Sequence, residues 1–134
     1  MEKPIKTAIG ILNDAMPNLK GVYLFGSRAD GSARPDSDFD FAFLNTGTQL
    51  SDLAVHSLRL ALATSLDAEV DLVDLRTAST VLQFQIISKG QRIYSSDDSF
   101  CDTFDLFVYS SYQHLNEGQQ EIIQDIRQRG KVYA

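Results

Sequence analysis

Cysteine is nearly absent from this chain of 134 residues, which has Cys101 and no second cysteine. A lone cysteine cannot form an internal disulfide, so we expect a fold held by its core and a reducing compartment, the cytoplasm. A zinc site with four thiolate ligands is excluded for the same reason. The length suits a single globular domain, and the 43% share of hydrophobic residues suits a buried core, so we expect residues 1–134 to form one domain.

Long apolar runs and an excess of positive charge are also missing. No run approaches the ~20 residues that cross a bilayer, and the first residues show no apolar signal-peptide segment. Lys and Arg total 12 against 18 Asp and Glu, which gives a net charge of −6. Because an acidic surface repels phosphate backbones, direct capture of nucleic acid is disfavoured. We therefore expect neither a membrane protein nor a direct nucleic-acid binder.

Apolar residues recur alternately at helix-like and strand-like spacing along the chain. Helical spacing covers residues 4–16, 51–66, 77–88 and those from 99 onward, with a candidate break at Gly118. Short apolar runs at 21–26, 39–44, 69–75 and 91–95 predict strands. This order predicts an α/β (α+β) domain with a mixed sheet of about four strands flanked by helices. We expect a catalytic core over residues 5–95 and a C-terminal helical segment over residues 99–130.

A glycine–serine turn follows the first apolar run. Gly26 and Ser27 close this predicted strand and precede a potential helical turn. Backbone N–H groups at such a turn carry positive dipole character, which suits a phosphate, and glycine allows a ligand to approach the backbone closely. A Gly-Ser pair alone also fits an ordinary turn.

Two aspartates lie two positions apart at the next predicted strand. Strand alternation puts Asp38 and Asp40 on one face, while Phe39 and Phe41 point to the other. Two bare carboxylates this close repel each other, and a hard divalent cation with oxygen ligands removes the repulsion. The pair by itself also fits a solvated surface, where Asp-x-Asp is common.

A third carboxylate would complete a site for two cations. Asp71 is the candidate, because it lies between apolar residues of a predicted strand and a buried carboxylate needs a partner. Two ions ~3.5–4 Å apart can stabilise both the attacking and the leaving oxygen of an in-line phosphoryl displacement.

The spacing of these features is more specific than any one of them. Ten residues separate Ser27 from Asp38, so residues 26–40 follow the pattern Gly-Ser-x10-Asp-x-Asp between two predicted strands. This pattern resembles the signature of the polymerase-beta-type nucleotidyltransferase superfamily and, in its compact form, of the minimal nucleotidyltransferase (MNT) family. The run Val-Asp-Leu-Val-Asp-Leu at residues 70–75 resembles that group's third-acid strand. The resemblance extends from about Ile9 to Tyr94.

The resemblance implies a role for each matching residue. Gly26 and Ser27 would contact the triphosphate of ATP. Asp38 and Asp40 would be Mg²⁺ ligands, with two ions expected, and Asp71 would be a further ligand that activates the attacking hydroxyl.

Two residues near this set are less clearly placed. Asp74 matches a recurrent acid that is usually not catalytic, and strand alternation puts it on the opposite face from Asp71. Arg28 could bind a phosphate through its guanidinium group, or it could form a surface salt bridge with Asp30 or Asp36. We keep Arg28 as a candidate nucleotide-binding residue with both interpretations open.

The acceptor of the nucleotidyl group is expected to belong to another protein. Beyond the predicted core only residues ~96–134 remain, which leaves little room for an acceptor pocket. The resemblance implies an antitoxin that transfers AMP from ATP to a tyrosine of a HEPN-type ribonuclease toxin (HepT-like) in a hetero-oligomer. The aromatic and acidic C-terminal segment could dock such a partner, or it could pack on its own core.

Two other functions remain open at this stage. The chain could be a binding-only antitoxin that blocks the toxin without catalysis, although pure binding does not need three clustered carboxylates. It could also modify a small molecule, which its length disfavours.

Overall fold

The computed structural model describes residues 2–34 and 37–129, with residues 118–129 described as helical backbone. The elements alternate as the sequence predicts, with one short helix added after the first strand. In chain order they are α1 (Glu2–Ala15), β1 (Leu19–Phe25), α2 (Ser27–Asp30), β2 (Phe39–Asn45), α3 (Asp52–Leu66), β3 (Val70–Asp74), α4 (Thr80–Lys89), β4 (Gln91–Ser95) and α5 (Asp98–Arg129). None of the helices in the described ranges is both long enough and apolar enough to cross a bilayer.

The four strands form one mixed sheet in the order β3-β2-β1-β4. β2 and β3 are parallel, whereas β1 pairs with β2 and with β4 in antiparallel fashion. The predicted four-stranded mixed sheet with flanking helices is therefore confirmed. Because β2 and β3 are parallel, both begin at the same end of the sheet, and β1 ends there.

Serine caps fix where the two central helices begin. The Oγ of Ser51 accepts a hydrogen bond from the N–H of Ala54 at the start of α3, at 3.1 Å. The Oγ of Ser79 accepts one from the N–H of Leu82 at the start of α4, at 3.2 Å. Each cap satisfies a backbone donor that the helix itself leaves unpaired.

The sheet has a core on each face. Alternation along β2 sends Phe41 and Phe43 to the face covered by α1 and α3, and Ala42 and Leu44 to the face covered by α4 and α5. Asp40 therefore belongs to the α4/α5 face, at the end of the sheet where β2 begins.

α5 runs without interruption from Asp98 to Arg129, so the candidate break at Gly118 is wrong. Its inner side buries Cys101 and Val108, while Phe107 on its outer side is exposed. Some apolar side chains of the segment thus pack on the core, as one interpretation expects, and the docking of a partner on the others stays a prediction. A single glycine costs a helix only ~1 kcal/mol, which the rest of a 32-residue helix tolerates.

A polar network joins α5 to the sheet. The hydroxyl of Tyr23 in β1 donates to Asp105 Oδ1 at 2.8 Å. Arg92 in β4 donates to Asp105 Oδ2 at 2.7 Å and to Asp102 Oδ1 at 2.9 Å. The C-terminal helix is therefore attached to the same sheet that carries the predicted site.

Candidate functional site

Strand register brings two of the predicted acids side by side. Asp40 in β2 is directly opposite Asp71 in the parallel strand β3 and opposite Phe25 in the antiparallel strand β1. Gly26 follows Phe25 at once, so the glycine–serine turn leaves β1 beside the same carboxylate. Three strands thus converge on Asp40 at one end of the sheet.

Gly26 lies so close to the Asp40 carboxylate that a side chain on residue 26 would force the turn or the carboxylate to move. Its backbone has φ 72° and ψ −155°, a conformation that favours glycine. A Cβ at this position would lie 2.1 Å from Asp40 Oδ2. The glycine of the motif therefore fixes how near the turn comes to the carboxylate.

The pKa of the Asp40 carboxyl reflects a cluster of negative charges. Burial raises the pKa of the half-buried Asp40 carboxyl, and the negative charges of Asp71 and then Asp38 raise that pKa further. Asp38 itself is exposed, two residues before Asp40 and outside the strand. The three predicted acids are therefore close enough to interact, with Asp40 at the centre.

The described side chains do not enclose a metal ion by themselves. Across the side chains described for residues 2–34 and 37–117, no three acidic, histidine or cysteine groups surround a common point as in a finished metal centre. Mg²⁺ is usually bound by one or two carboxylates together with substrate phosphates and water, so a closed protein cage is not what this ion needs. The crowded carboxylates beside Gly26 fit an ion that arrives with a phosphate.

The side chain of Arg28, in α2, is bonded to the segment that leads into β2. Its Nε and Nη2 donate to the carbonyl oxygen of Ser37 at 3.1 and 2.7 Å, and its guanidinium lies 3.8 Å from the centre of the Phe39 ring. Asp30, one salt-bridge partner considered above, accepts hydrogen bonds from Ser32 instead, and Asp36 lies outside the described residues. Arg28 thus shapes the approach to β2, and its contact with phosphate stays a prediction.

Asp74 has a structural explanation. Its side chain is buried, and its Oδ1 accepts a hydrogen bond from the N–H of Arg76 at 3.0 Å. Its carbonyl oxygen accepts from the N–H groups of Thr77 and Ala78. Asp74 therefore closes the turn after β3, while Asp71 is exposed beside Asp40, as the preference for Asp71 requires.

A pocket of about 530 Å³ opens beside the glycine–serine turn. Its lining joins the end of β1 and α2 to the last turns of α4, from which Gln85 and Lys89 enter. The sequence did not single out Lys89, since nothing local shows where this helix will pack. A second pocket of about 340 Å³, at the outer edge of β3, has none of the predicted site residues in its lining.

Known nucleotidyltransferases resemble this chain in sequence and in fold. The family model described as polymerase beta, nucleotidyltransferase matches residues 6–99. The chain is 41% identical over 118 residues to the protein adenylyltransferase MntA of Shewanella oneidensis, which covers 88% of this chain and 84% of that protein.

Two solved structures also resemble the chain over nearly its whole length. One is a crystal structure of a toxin–antitoxin with AMP-PNP, with a TM-score of 0.81, 39% identity, and coverage of 92% of this chain and 98% of that chain. The other is the tri-AMPylated Shewanella oneidensis HEPN toxin in complex with MNT antitoxin, with a TM-score of 0.79, 37% identity, and coverage of 94% and 98%.

Proposed function

The chain belongs to the polymerase β nucleotidyltransferase family, and from this we propose that it is an antitoxin that transfers AMP from ATP to a tyrosine of a HEPN-type ribonuclease toxin. The reaction class follows from the family. The acceptor is supported by the relative named protein adenylyltransferase MntA and by the complex of an MNT antitoxin with an AMPylated HEPN toxin. We assign this activity to the chain as one cytoplasmic domain that forms a hetero-oligomer with the toxin.

One observation carries the proposal: Asp40 is opposite Asp71 across two parallel strands and is in contact with the backbone of Gly26. Close carboxylates repel each other and raise the free energy of the empty site. A bound cation with its phosphate removes this repulsion, so the arrangement suits a site that binds both. A protein that merely covered its partner's surface would gain nothing from this arrangement.

The chemistry is an in-line displacement at the α-phosphorus of ATP. The tyrosine oxygen forms a bond to that phosphorus, the bond to the bridging oxygen of pyrophosphate breaks, and pyrophosphate leaves with that oxygen. Asp71, exposed at the edge of the cluster, accepts the proton of the attacking hydroxyl. The backbone of Gly26 and Ser27 positions the phosphates beside Asp40.

Asp38, Asp40 and Asp71 would hold Mg²⁺, with two ions expected. Bound there, the metal would supply charge stabilisation to the attacking and leaving oxygens of the displacement. ATP as the nucleotide is supported by the similarity to a toxin–antitoxin structure that contains an ATP analogue, AMP-PNP.

The test is the mass of the toxin. The purified chain, its cognate HEPN toxin, ATP and Mg²⁺ are incubated, and the toxin is measured by intact mass spectrometry. We expect the toxin to gain one or more AMP groups with the wild type and with Asp14→Asn, a control on an exposed position of α1. The double variant Asp38→Asn/Asp40→Asn should leave its mass unchanged. An unmodified toxin with the wild type, or full modification by the double variant, would contradict the proposal.

A further inference from the structure

The pocket beside the glycine–serine turn contains one cationic side chain. The lining residues are Phe25, Gly26, Asp30, Leu82, Gln85, Ile86 and Lys89. Lys89 is the only lysine, arginine or histidine among them. Because Gly26 contacts Asp40, this pocket adjoins the carboxylate cluster.

The acidic side chains around the pocket repel the phosphate oxygens of a nucleotide. Asp30 lines the pocket, and Asp40, which is opposite Asp71 in the sheet, lies against Gly26 in that lining. These carboxylates favour cations and repel phosphate oxygens. The nearby guanidinium of Arg28 donates to the carbonyl of Ser37 on the loop. A cation on the opposite wall would offset the remaining charge of the phosphates.

The backbone at Lys89 is rigidly placed. The next residue, Gly90, donates its N–H to the carbonyl oxygen of Ile86 at 2.8 Å, and a Cβ on Gly90 would lie 2.8 Å from the carbonyl oxygen of Leu24. Gln91 then donates its Nε2 to the carbonyl oxygen of Ala29 at 2.9 Å. The end of α4 is thus packed against both the end of β1 and α2, the two elements that flank Gly26.

Lys89 is not paired with any of the carboxylates that the structure describes. Among the described residues it forms no salt bridge within 4.0 Å, whereas Lys20 and Arg92 both do. Its side chain is exposed to the pocket rather than committed to a neighbour. A lysine in the last turn of a helix also interacts favourably with the helix dipole, and that role alone would leave nucleotide binding unaffected by its removal.

We propose that Lys89 binds the β- and γ-phosphates of the nucleotide across the pocket from the Gly26–Ser27 turn. The inference rests on the proposed function. It adds a positioning residue from α4 that neutralises charge on the pyrophosphate leaving group. A lysine suits this task because its ammonium group is a compact charge with three donors.

The test compares ATP with AMP, which lacks the two outer phosphates. Binding of each nucleotide to the full chain with Mg²⁺ is measured by calorimetry for the wild type, Lys89→Gln, Lys89→Arg and Lys6→Gln, an exposed control on α1. We expect Lys89→Gln to weaken ATP binding roughly 10-fold or more and AMP binding by less than about 3-fold. Lys89→Arg should retain most of the ATP affinity, and Lys6→Gln all of it. The salt dependence of ATP binding should also be shallower for Lys89→Gln.

The outcomes distinguish failure of the role of Lys89 from failure of the proposed function. The role of Lys89 would be overturned if Lys89→Gln bound ATP as tightly as the wild type does, or if it lost as much affinity for AMP as for ATP. Either result would leave the proposed function intact, because AMP transfer by the wild type supports it separately. Wild-type protein that bound ATP but left the toxin unmodified would overturn the proposed function alone. Thermal melts of each variant show whether a loss reflects unfolding, and Lys89→Arg tests the inference if Lys89→Gln does not fold.

Discussion

Gly26 meets two separate demands, a positive φ and a contact with a carboxylate. Replacement by alanine would place a methyl group 2.1 Å from Asp40 Oδ2, so either the turn or the carboxylate must move. A displacement of about 1 Å at a reacting centre can cost on the order of 100-fold in rate. We expect Gly26→Ala to lower AMP transfer by about that factor, measured with the cognate toxin.

Gly31 is a matched control for this substitution. It also has a positive φ, 82°, yet nothing lies within 4 Å of where its Cβ would be. Gly31→Ala should therefore cost stability, about 1 kcal/mol from the left-handed backbone, with little loss of activity. Equal losses of activity for both variants would show that backbone strain, and not contact with Asp40, explains the motif glycine.

Asp40 should lower the stability of the metal-free chain. Burial, then Asp71 and Asp38, raise its pKa in the folded state, so its ionisation destabilises the fold at neutral pH. Asp40→Asn removes that charge, and we expect a higher melting temperature in EDTA, by a few degrees at most, together with loss of AMP transfer by ~100-fold or more.

The pH dependence of this difference has a definite sign. As the pH falls through the raised pKa of Asp40 towards the ordinary value of about 3.9, the wild type is protonated and loses its disadvantage. The gap in melting temperature between Asp40→Asn and the wild type should therefore narrow on acidification. A gap that widened at lower pH would mean that the Asp40 charge is stabilising.

At the scale of elements, the attachment of α5 depends on Tyr23. Its hydroxyl donates to Asp105, which also accepts from Arg92, so the phenol links β1 to the helix. Tyr23→Phe should lower the free energy of unfolding by about 1–2 kcal/mol in urea denaturation, because a hydrogen bond to a charged acceptor is lost.

Tyr94 on β4 provides the comparison for that measurement. Its ring packs against the core, and within the described residues its hydroxyl has no hydrogen-bond partner. Tyr94→Phe should change the free energy of unfolding by less than about 0.5 kcal/mol. Equal effects of the two substitutions would show that the Tyr23–Asp105 bond is not what holds α5.

The helices and strands differ in how well the sequence alone predicted them. The four strands, the start of a helix near Ser51 and the separation of Asp71 from Asp74 on opposite faces followed from the spacing of residues along the chain, which is local. The continuation of α5 past Gly118 and the Tyr23–Asp105–Arg92 network were not predicted, since both depend on contacts between distant segments. Leu53 and Leu60 lie in the segment 51–66 predicted as a helix from its apolar spacing, yet both are exposed, because periodicity does not show how wide the buried side is.

The sequence predicts which residues form the candidate site but not how they are arranged in space. Spacing on one strand related Asp38 to Asp40, but the position of Asp71 opposite Asp40 required the parallel pairing of β2 with β3. The contact between Gly26 and Asp40 and the entry of Lys89 into the pocket required β1 and α4 to be placed. Such long-range packing is not encoded in any local pattern.

At the scale of the whole molecule, an antitoxin that transfers AMP and an antitoxin that only binds should differ in how mutation of the site affects neutralisation of the toxin. If AMP transfer silences the toxin, cells that express it should not be rescued by the Asp38→Asn/Asp40→Asn variant, although that variant still binds the toxin in a pull-down. Growth with the wild type and with Asp14→Asn is the comparison. Full rescue by the double variant would favour the binding-only function.

The binding position of a paramagnetic ion shows whether the carboxylates beside Gly26 form the cation site. Mn²⁺ added below stoichiometry to ¹⁵N-labelled chain with a non-hydrolysable ATP analogue broadens the amide signals nearest to it. We expect the signals of Gly26, Asp40 and Asp71 to broaden first, and Asp40→Asn to prevent this. Earlier broadening at the exposed acids of α5, such as Asp98 and Asp102, or unchanged broadening in Asp40→Asn, would contradict it.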